Sequence, residues 1–205
     1  MKKFIFKTTS NLSISGKYTV FPQKLSKSLK TAFDVMFIHA FPFDSEMFVK
    51  NFKDNKFIKI LNEIALRKGR IRIFLPDLPG FGESSLFDSK PKSLLVYADL
   101  VNEIANHFHI NQLILGGCSM GGYIALEYLR NYSNNIKGLV LIDTKPYADN
   151  EEQIQNRLDT ITFIKQSLVS YSENDTSNID MKKLYEQDNK VKNFIDNLHS
   201  SIISL

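Results

Sequence analysis

Four short apolar runs constrain this chain most. They are Val35-Met36-Phe37-Ile38, Ile71-Arg72-Ile73-Phe74-Leu75, Leu113-Ile114-Leu115 and Leu139-Val140-Leu141-Ile142. Loop formers close each run: the turn with Pro42, then Pro76, then Gly116-Gly117, then Asp143. A strand with one face in water alternates apolar and polar residues, whereas a near-continuous run suits a strand covered on both faces of a parallel sheet. Helical spacing fills the gaps. Leu94, Tyr97, Val101, Ile104, Ala105 and Phe108 fall on one predicted face; Tyr123, Leu126 and Leu129, with Ile124, Ala125 and Tyr128, form a second helical stretch, and Phe57, Ile60, Leu61, Ile64 and Ala65 a third. Alternating strands and helices predict βαβ units in a doubly wound, mostly parallel α/β sheet with three αβα layers. The opening reads differently. Phe4 and Phe6, Leu12 and Ile14, and Tyr18 and Val20 alternate around Gly16, which predicts an antiparallel hairpin or edge pair.

Composition narrows the classes. With 205 residues, 43% of them hydrophobic, the chain can bury one substantial core. No apolar run approaches the roughly 20 residues that cross a bilayer. The basic start, Met1-Lys2-Lys3, leads into an apolar stretch that stops at Lys7, too short for a signal peptide, so the reading is cytoplasmic with export by another route left open. The net charge of +4 is mild and comes mostly from lysine. No basic stripe interleaved with aromatics supports nucleic-acid binding. The one tight cluster, Arg67-Lys68-Gly69-Arg70-Ile71-Arg72, reads as a solvated turn before a buried strand. Cys118 is the only cysteine, which excludes an internal disulfide and a cysteine-built metal site.

Composition changes after Asp143. Ile154, Leu158, Ile161, Ile164 and Leu168 keep helical spacing, a polar break runs from Ser170 to Asp180, and Met181 through Ile202 resumes the pattern. No further buried-strand run follows. The predicted division is a core over 1–149 and a helical cap over 150–205.

The chemistry concentrates at Gly117-Cys118-Ser119-Met120-Gly121-Gly122. This G-x-S-x-G lies between a predicted strand, Gln112–Gly116, and a predicted helix, Met120–Arg130, the context in which the motif has a mechanism. A strand turning sharply into a helix holds the serine in a strained conformation with its hydroxyl exposed. Glycines two before and two after let strand and helix approach. The helix N-terminus then offers free N–H groups to a developing oxyanion. The same residues also suit a plain glycine-rich turn with an N-cap serine. A second strand end, Phe37-Ile38-His39-Ala40-Phe41-Pro42, lies where a neighbouring strand would deliver another backbone donor. A third, Asp77-Leu78-Pro79-Gly80-Phe81-Gly82-Glu83-Ser84, reads as a rigid loop that Asp77 orders through backbone hydrogen bonds.

In order and spacing, these three motifs resemble the α/β-hydrolase fold family, in the esterase and lipase-like subgroup with His-Ala-Phe-Pro. Asp143-Thr144-Lys145, with Ala148-Asp149 and Arg157, resembles the same subgroup after its sixth strand. The resemblance implies that Ser119 is the nucleophile and that the Phe41 and Met120 amides form the oxyanion hole. It also implies that the helices after Asn150 belong to a lid. It implies no cofactor and no metal. Substrates would be small-molecule or lipid carboxylic esters processed through an acyl-enzyme, with the phenylalanines near the site favouring an apolar acyl group.

The family order is serine, then acid, then histidine, the last two following further strands. One more βα unit takes roughly 30 residues, and none is legible before Leu205, so the expectation is a chain lacking the last strands. That would leave an exposed sheet edge prone to self-association. Substitutes within the chain are Asp143 as acid and His199 or His39 as base. His107 and His109 fall at a helix end away from the site. Two other readings stay open: a truncated, non-catalytic or weakly active remnant that binds an acyl ligand or partner, and acyl transfer or C–C hydrolysis on the same fold.

Overall fold

A computed structural model describes residues 1–22, 30–88, 91–159 and 162. The opening hairpin forms as its alternation predicts. Strand β1 (Lys2–Lys7) pairs antiparallel with β2 (Ser13–Phe21) through a turn in which the Leu12 N–H donates to Thr8 Oγ1 at 2.9 Å. Strand β2 pairs antiparallel with β4 (Arg70–Pro76) on its other side. The remaining pairs are parallel: β3 (Thr31–Ile38) with β4, β3 with β5 (Leu113–Cys118), and β5 with β6 (Ile136–Ile142). The sheet order is β1-β2-β4-β3-β5-β6.

Four α-helices belong to this sheet: α1 (Glu46–Val49), α2 (Asn55–Lys68), α3 (Leu95–His107) and α4 (Met120–Tyr132). Two cores flank the sheet, one on each face. Met36, Ile38, Phe74, Leu113 and Leu115 pack with Val101 and Ile104 of α3 and Ile124 and Tyr128 of α4. On the opposite face Ile71, Ile73 and Leu75 pack with Phe48 of α1 and Ala65 of α2. Both faces are therefore dry over β3 and β4, as the apolar runs require. At the edge, β6 pairs on one side only among the described residues, and Val140, Leu141 and Ile142 are each 38% exposed, so this run, contrary to what its continuity predicts, is not covered on both faces.

Two expectations change. Helix α2 starts where the Asp54 carboxylate accepts from the Phe57 N–H at 2.8 Å. Its inward face is Ile58, Leu61 and Ala65; Phe57, Ile60 and Ile64, predicted to be core, are 38%, 52% and 40% exposed. Apolar residues cover too wide an arc of this helix for periodicity to choose the inward side. Arg72 is not part of a solvated turn. Its guanidinium binds Asp34 on β3 (Nη2 to Oδ2, 2.8 Å) and the Phe108 carbonyl (2.9 Å), tying the end of α3 to the N-terminal edge of the strands.

The chain divides into two compact units, Met1–Lys145 and Pro146–Leu205. In the second unit residues 151–159 are helical and Arg157 pairs with Asp149. The predicted break at Ser170–Asp180 and the second cap helix lie outside the described residues. No described helix is long and apolar enough to cross a membrane.

Candidate active site

The strand order places the site. From β3 the chain winds outward to β4 and then returns across β3 to β5, so the loops after β3 and β5 leave the sheet in opposite directions from neighbouring strands. Such a switch point, at the carboxyl ends of parallel strands, opens the crevice where α/β sheets bind ligands. Parallel register sets Ile38 opposite Gly117, which brings the His39–Phe41 turn beside the Cys118-Ser119-Met120 turn.

Ser119 stands in the sharp elbow of the chain between β5 and α4, at φ 48° and ψ −111°. A side chain rarely adopts this backbone, at a cost of about 1–3 kcal/mol, and it persists only where the surroundings over-determine it. The Ser119 N–H donates to the Ile142 carbonyl at 3.0 Å, and the Ser119 carbonyl accepts from Gly122 N–H at 2.9 Å and Tyr123 N–H at 3.2 Å. Close backbone approach completes the constraint. A Cβ at Gly117 would lie 2.1 Å from the Gly121 carbonyl oxygen, and one at Gly121 would lie 2.2 Å from the Ile38 carbonyl oxygen. Among the described residues the Ser119 hydroxyl has no hydrogen-bond partner, and as the first residue of α4 Met120 has an N–H with no intrahelical acceptor.

The second turn is held by His39, which is fully buried. Its Nε2 accepts from the Leu78 N–H at 2.9 Å, which makes Nδ1 the protonated nitrogen, and Nδ1 lies 3.0 Å from the Ala40 carbonyl. That carbonyl also accepts from the Phe43 N–H at 2.9 Å. Both ring nitrogens are therefore committed, which leaves His39 no free nitrogen for the Ser119 proton, contrary to its expected candidacy as base. Burial pushes its pKa below 6.5, against the pull of the Ala40 carbonyl, Asp77 and Asp44. Phe81 packs edge-on against both His39 and Phe41, and the Phe41 ring is 42% exposed at the mouth of the turn.

His39 should make the fold acid-sensitive. The folded ring stays neutral below the unfolded pKa of 6.5, so below that pH the unfolded chain binds a proton that the folded chain does not, and stability falls as pH drops towards the depressed folded value. His39→Gln keeps an acceptor for Leu78 and cannot titrate. Urea melts between about pH 7 and 5 should show a shallower loss of stability in the variant than in wild type; equal slopes would contradict the assignment.

Asp77 holds the third loop. Its carboxylate accepts from Ser15 Oγ at 2.6 Å and from the Ser45 N–H at 2.8 Å, while Ser84 Oγ donates to its carbonyl at 2.7 Å. A serine in an alternating strand carries no signal of a partner 62 positions away, so Ser15 is silent in the sequence. Cys118 is buried, and burial together with the nearby Asp143 carboxylate raises its pKa, which disfavours the thiolate. Asp143 ends β6 beside the elbow at φ 50° with an exposed side chain. His107 packs against Phe6 at the far end of the sheet, His109 lies two residues on, and His199 lies outside the described residues. The structure thus brings together Ser119, Met120, the Phe41 turn and Asp143. No described group of three or more His, Cys, Asp or Glu side chains is arranged to hold a metal ion.

Comparison with known proteins agrees with this geometry. A family profile described as alpha/beta hydrolase fold matches residues 35–202. A thermophilic esterase from Thermogutta terrifontis superposes with a TM-score of 0.58 at 26% identity, over 80% of this chain and 53% of the esterase. A carboxylesterase structure from Nitrososphaera gargenis gives a TM-score of 0.60 at 15% identity, over 93% of this chain and 64% of that one. Among curated sequences, the abhydrolase domain-containing protein abhd-5.2 of Caenorhabditis elegans is 35% identical over 78 residues, which are 37% of this chain and 17% of that protein. The chain thus spans about half the length of the Thermogutta esterase and less than a fifth of the nematode protein.

Proposed function

Since the chain belongs to the α/β-hydrolase fold family, we propose that it is a serine hydrolase acting on carboxylic esters through an acyl-enzyme at Ser119. The observation that carries this is the strained Ser119 backbone at the strand-to-helix turn, with its hydroxyl unpartnered among the described residues and the Met120 N–H beside it. In this reading Ser119 Oγ attacks the ester carbonyl. The C=O electrons move onto oxygen, and the Met120 and Phe41 amides receive that oxyanion. Collapse expels the alcohol and leaves the acyl group on Ser119, and water then releases the acid. The half-exposed Phe41 and its neighbour Phe81 favour an apolar acyl chain.

The attack needs a base for the Ser119 proton, because an unassisted serine is a weak nucleophile at neutral pH. Among the described residues none supplies it, and this favours a second reading in which the chain binds acyl compounds and turns them over slowly. Turnover of p-nitrophenyl acetate, butyrate and octanoate separates the two. Without a base, oxyanion stabilisation and binding alone should leave roughly 10³–10⁴-fold acceleration over water; a base raises the rate further. Ser119→Ala should remove the covalent route in either case. Turnover unchanged in Ser119→Ala would overturn the serine mechanism.

A further inference from the structure

We infer that Thr144 is a positioning residue for the oxyanion hole: its hydroxyl clamps the Ser119–Met120 peptide by its carbonyl and so aims the Met120 N–H. This rests on the reading of Ser119 as nucleophile. Thr144 Oγ1 lies 3.0 Å from the Ser119 carbonyl oxygen and 3.1 Å from the Ile142 carbonyl oxygen, so its one proton is shared between them. A peptide group is planar and trans, so the Ser119 C=O and the Met120 N–H point in opposite directions from one rigid plate. Holding the carbonyl sets the direction of the amide. With Gly122 and Tyr123 donating as well, three donors converge on this oxygen. Electron density drawn towards the oxygen makes the Met120 N–H a stronger donor.

The fold builds the contact deliberately. Asp143 at φ 50° turns the chain back at the end of β6, while the Ser119 N–H bond to Ile142 holds that strand end against the elbow. Gly122 leaves the space: a Cβ there would lie 2.0 Å from Thr144 Oγ1. The second glycine after Met120 therefore has its reason in Thr144. The partner turn is wired alike, since the Phe41 N–H shares its peptide with the Ala40 carbonyl, which His39 Nδ1 and the Phe43 N–H bind.

Thr144→Val keeps the shape and removes the hydroxyl; Thr144→Ser restores it. Ser119-Met120 is the only Ser-Met step in the sequence, so carbonyl-13C serine and 15N methionine labelling gives a single carbonyl–amide NMR cross-peak for this peptide. Thr144→Val should move that peak, with the carbonyl upfield, and Thr144→Ser should return it towards wild type. On p-nitrophenyl butyrate, Thr144→Val should lose about five- to tenfold in kcat with KM little changed, and Thr144→Ser should recover most of it. An unmoved peak in Thr144→Val, or a loss in KM alone, overturns the inference. The NMR arm needs no turnover, so a wild-type protein without Ser119-dependent activity would sink the hydrolase reading while the peak still decides whether Thr144 clamps the peptide.

Discussion

Gly121→Ala is expected to destabilise the fold by about 3 kcal/mol or more and to abolish reaction at Ser119 with it. The added methyl carbon would sit 2.2 Å from the Ile38 carbonyl oxygen, 2.7 Å from its carbon and 2.8 Å from the His39 carbonyl oxygen. All three are backbone atoms of the strand end that carries the Phe41 turn, so no side chain can swing away. Helix α4 must lift from β3, and that lift separates the Met120 amide from the Phe41 amide. Gly138→Ala is the control, because its methyl would meet only the Ile114 side chain at 3.7 Å, and its effect should stay within about 0.5 kcal/mol. Urea denaturation of the two variants reads the contrast. Equal stability would mean that α4 does not approach β3 as closely as described.

Asp77→Ala should be the most damaging change among the polar residues outside the elbow. It removes one buried carboxylate that accepts from the Ser15 hydroxyl and the Ser45 N–H, and leaves both donors in a dry site. Hydrogen bonds to a charged group are worth about 1.5–3 kcal/mol each, so the loss of two should reach about 3–6 kcal/mol. Asp77→Asn keeps one acceptor oxygen and should cost roughly half as much. The loop from Leu78 to Ser85 is pinned to β2 by the Ser84 Oγ acceptor for Ser15 N–H and by the Ser85 N–H bond to the Ser13 carbonyl. Limited proteolysis of Asp77→Ala should therefore open new cleavage within 78–88, and a wild-type pattern would contradict the role.

What the sequence showed and what it hid divide along a physical line. Short apolar runs closed by loop formers mark β3, β4 and β5 at Val35, Ile71 and Leu113, and the same signal marks β6 at Leu139 although Val140, Leu141 and Ile142 lie exposed at the sheet edge. The elbow was legible because G-x-S-x-G satisfies several steric demands at once, and the spacing of Gly117 and Gly121 is visible without coordinates. Periodicity cannot orient helix α2, because Phe57, Ile60 and Ile64 are as apolar as the residues that pack, and only the sheet decides which arc turns inward. Partners distant in sequence were invisible. Nothing in Ser15 announces Asp77, nothing in Arg72 announces Asp34, and Thr144 gives no sign that its hydroxyl returns to Ser119. Type and position alone make His39 a candidate base; its wiring to Leu78 and Ala40 appears only in three dimensions.

The central claim is that Ser119 is a nucleophile made ready by its backbone. Fluorophosphonate labelling followed by peptide mass spectrometry tests it most directly, because the probe forms a covalent bond with the serine oxygen and builds negative charge on the phosphoryl oxygen where the oxyanion would form. The account predicts a single adduct on Ser119, absent from Ser119→Ala and absent after urea unfolding. A folded wild-type protein that acquires no adduct, or acquires it equally on other serines, would contradict it.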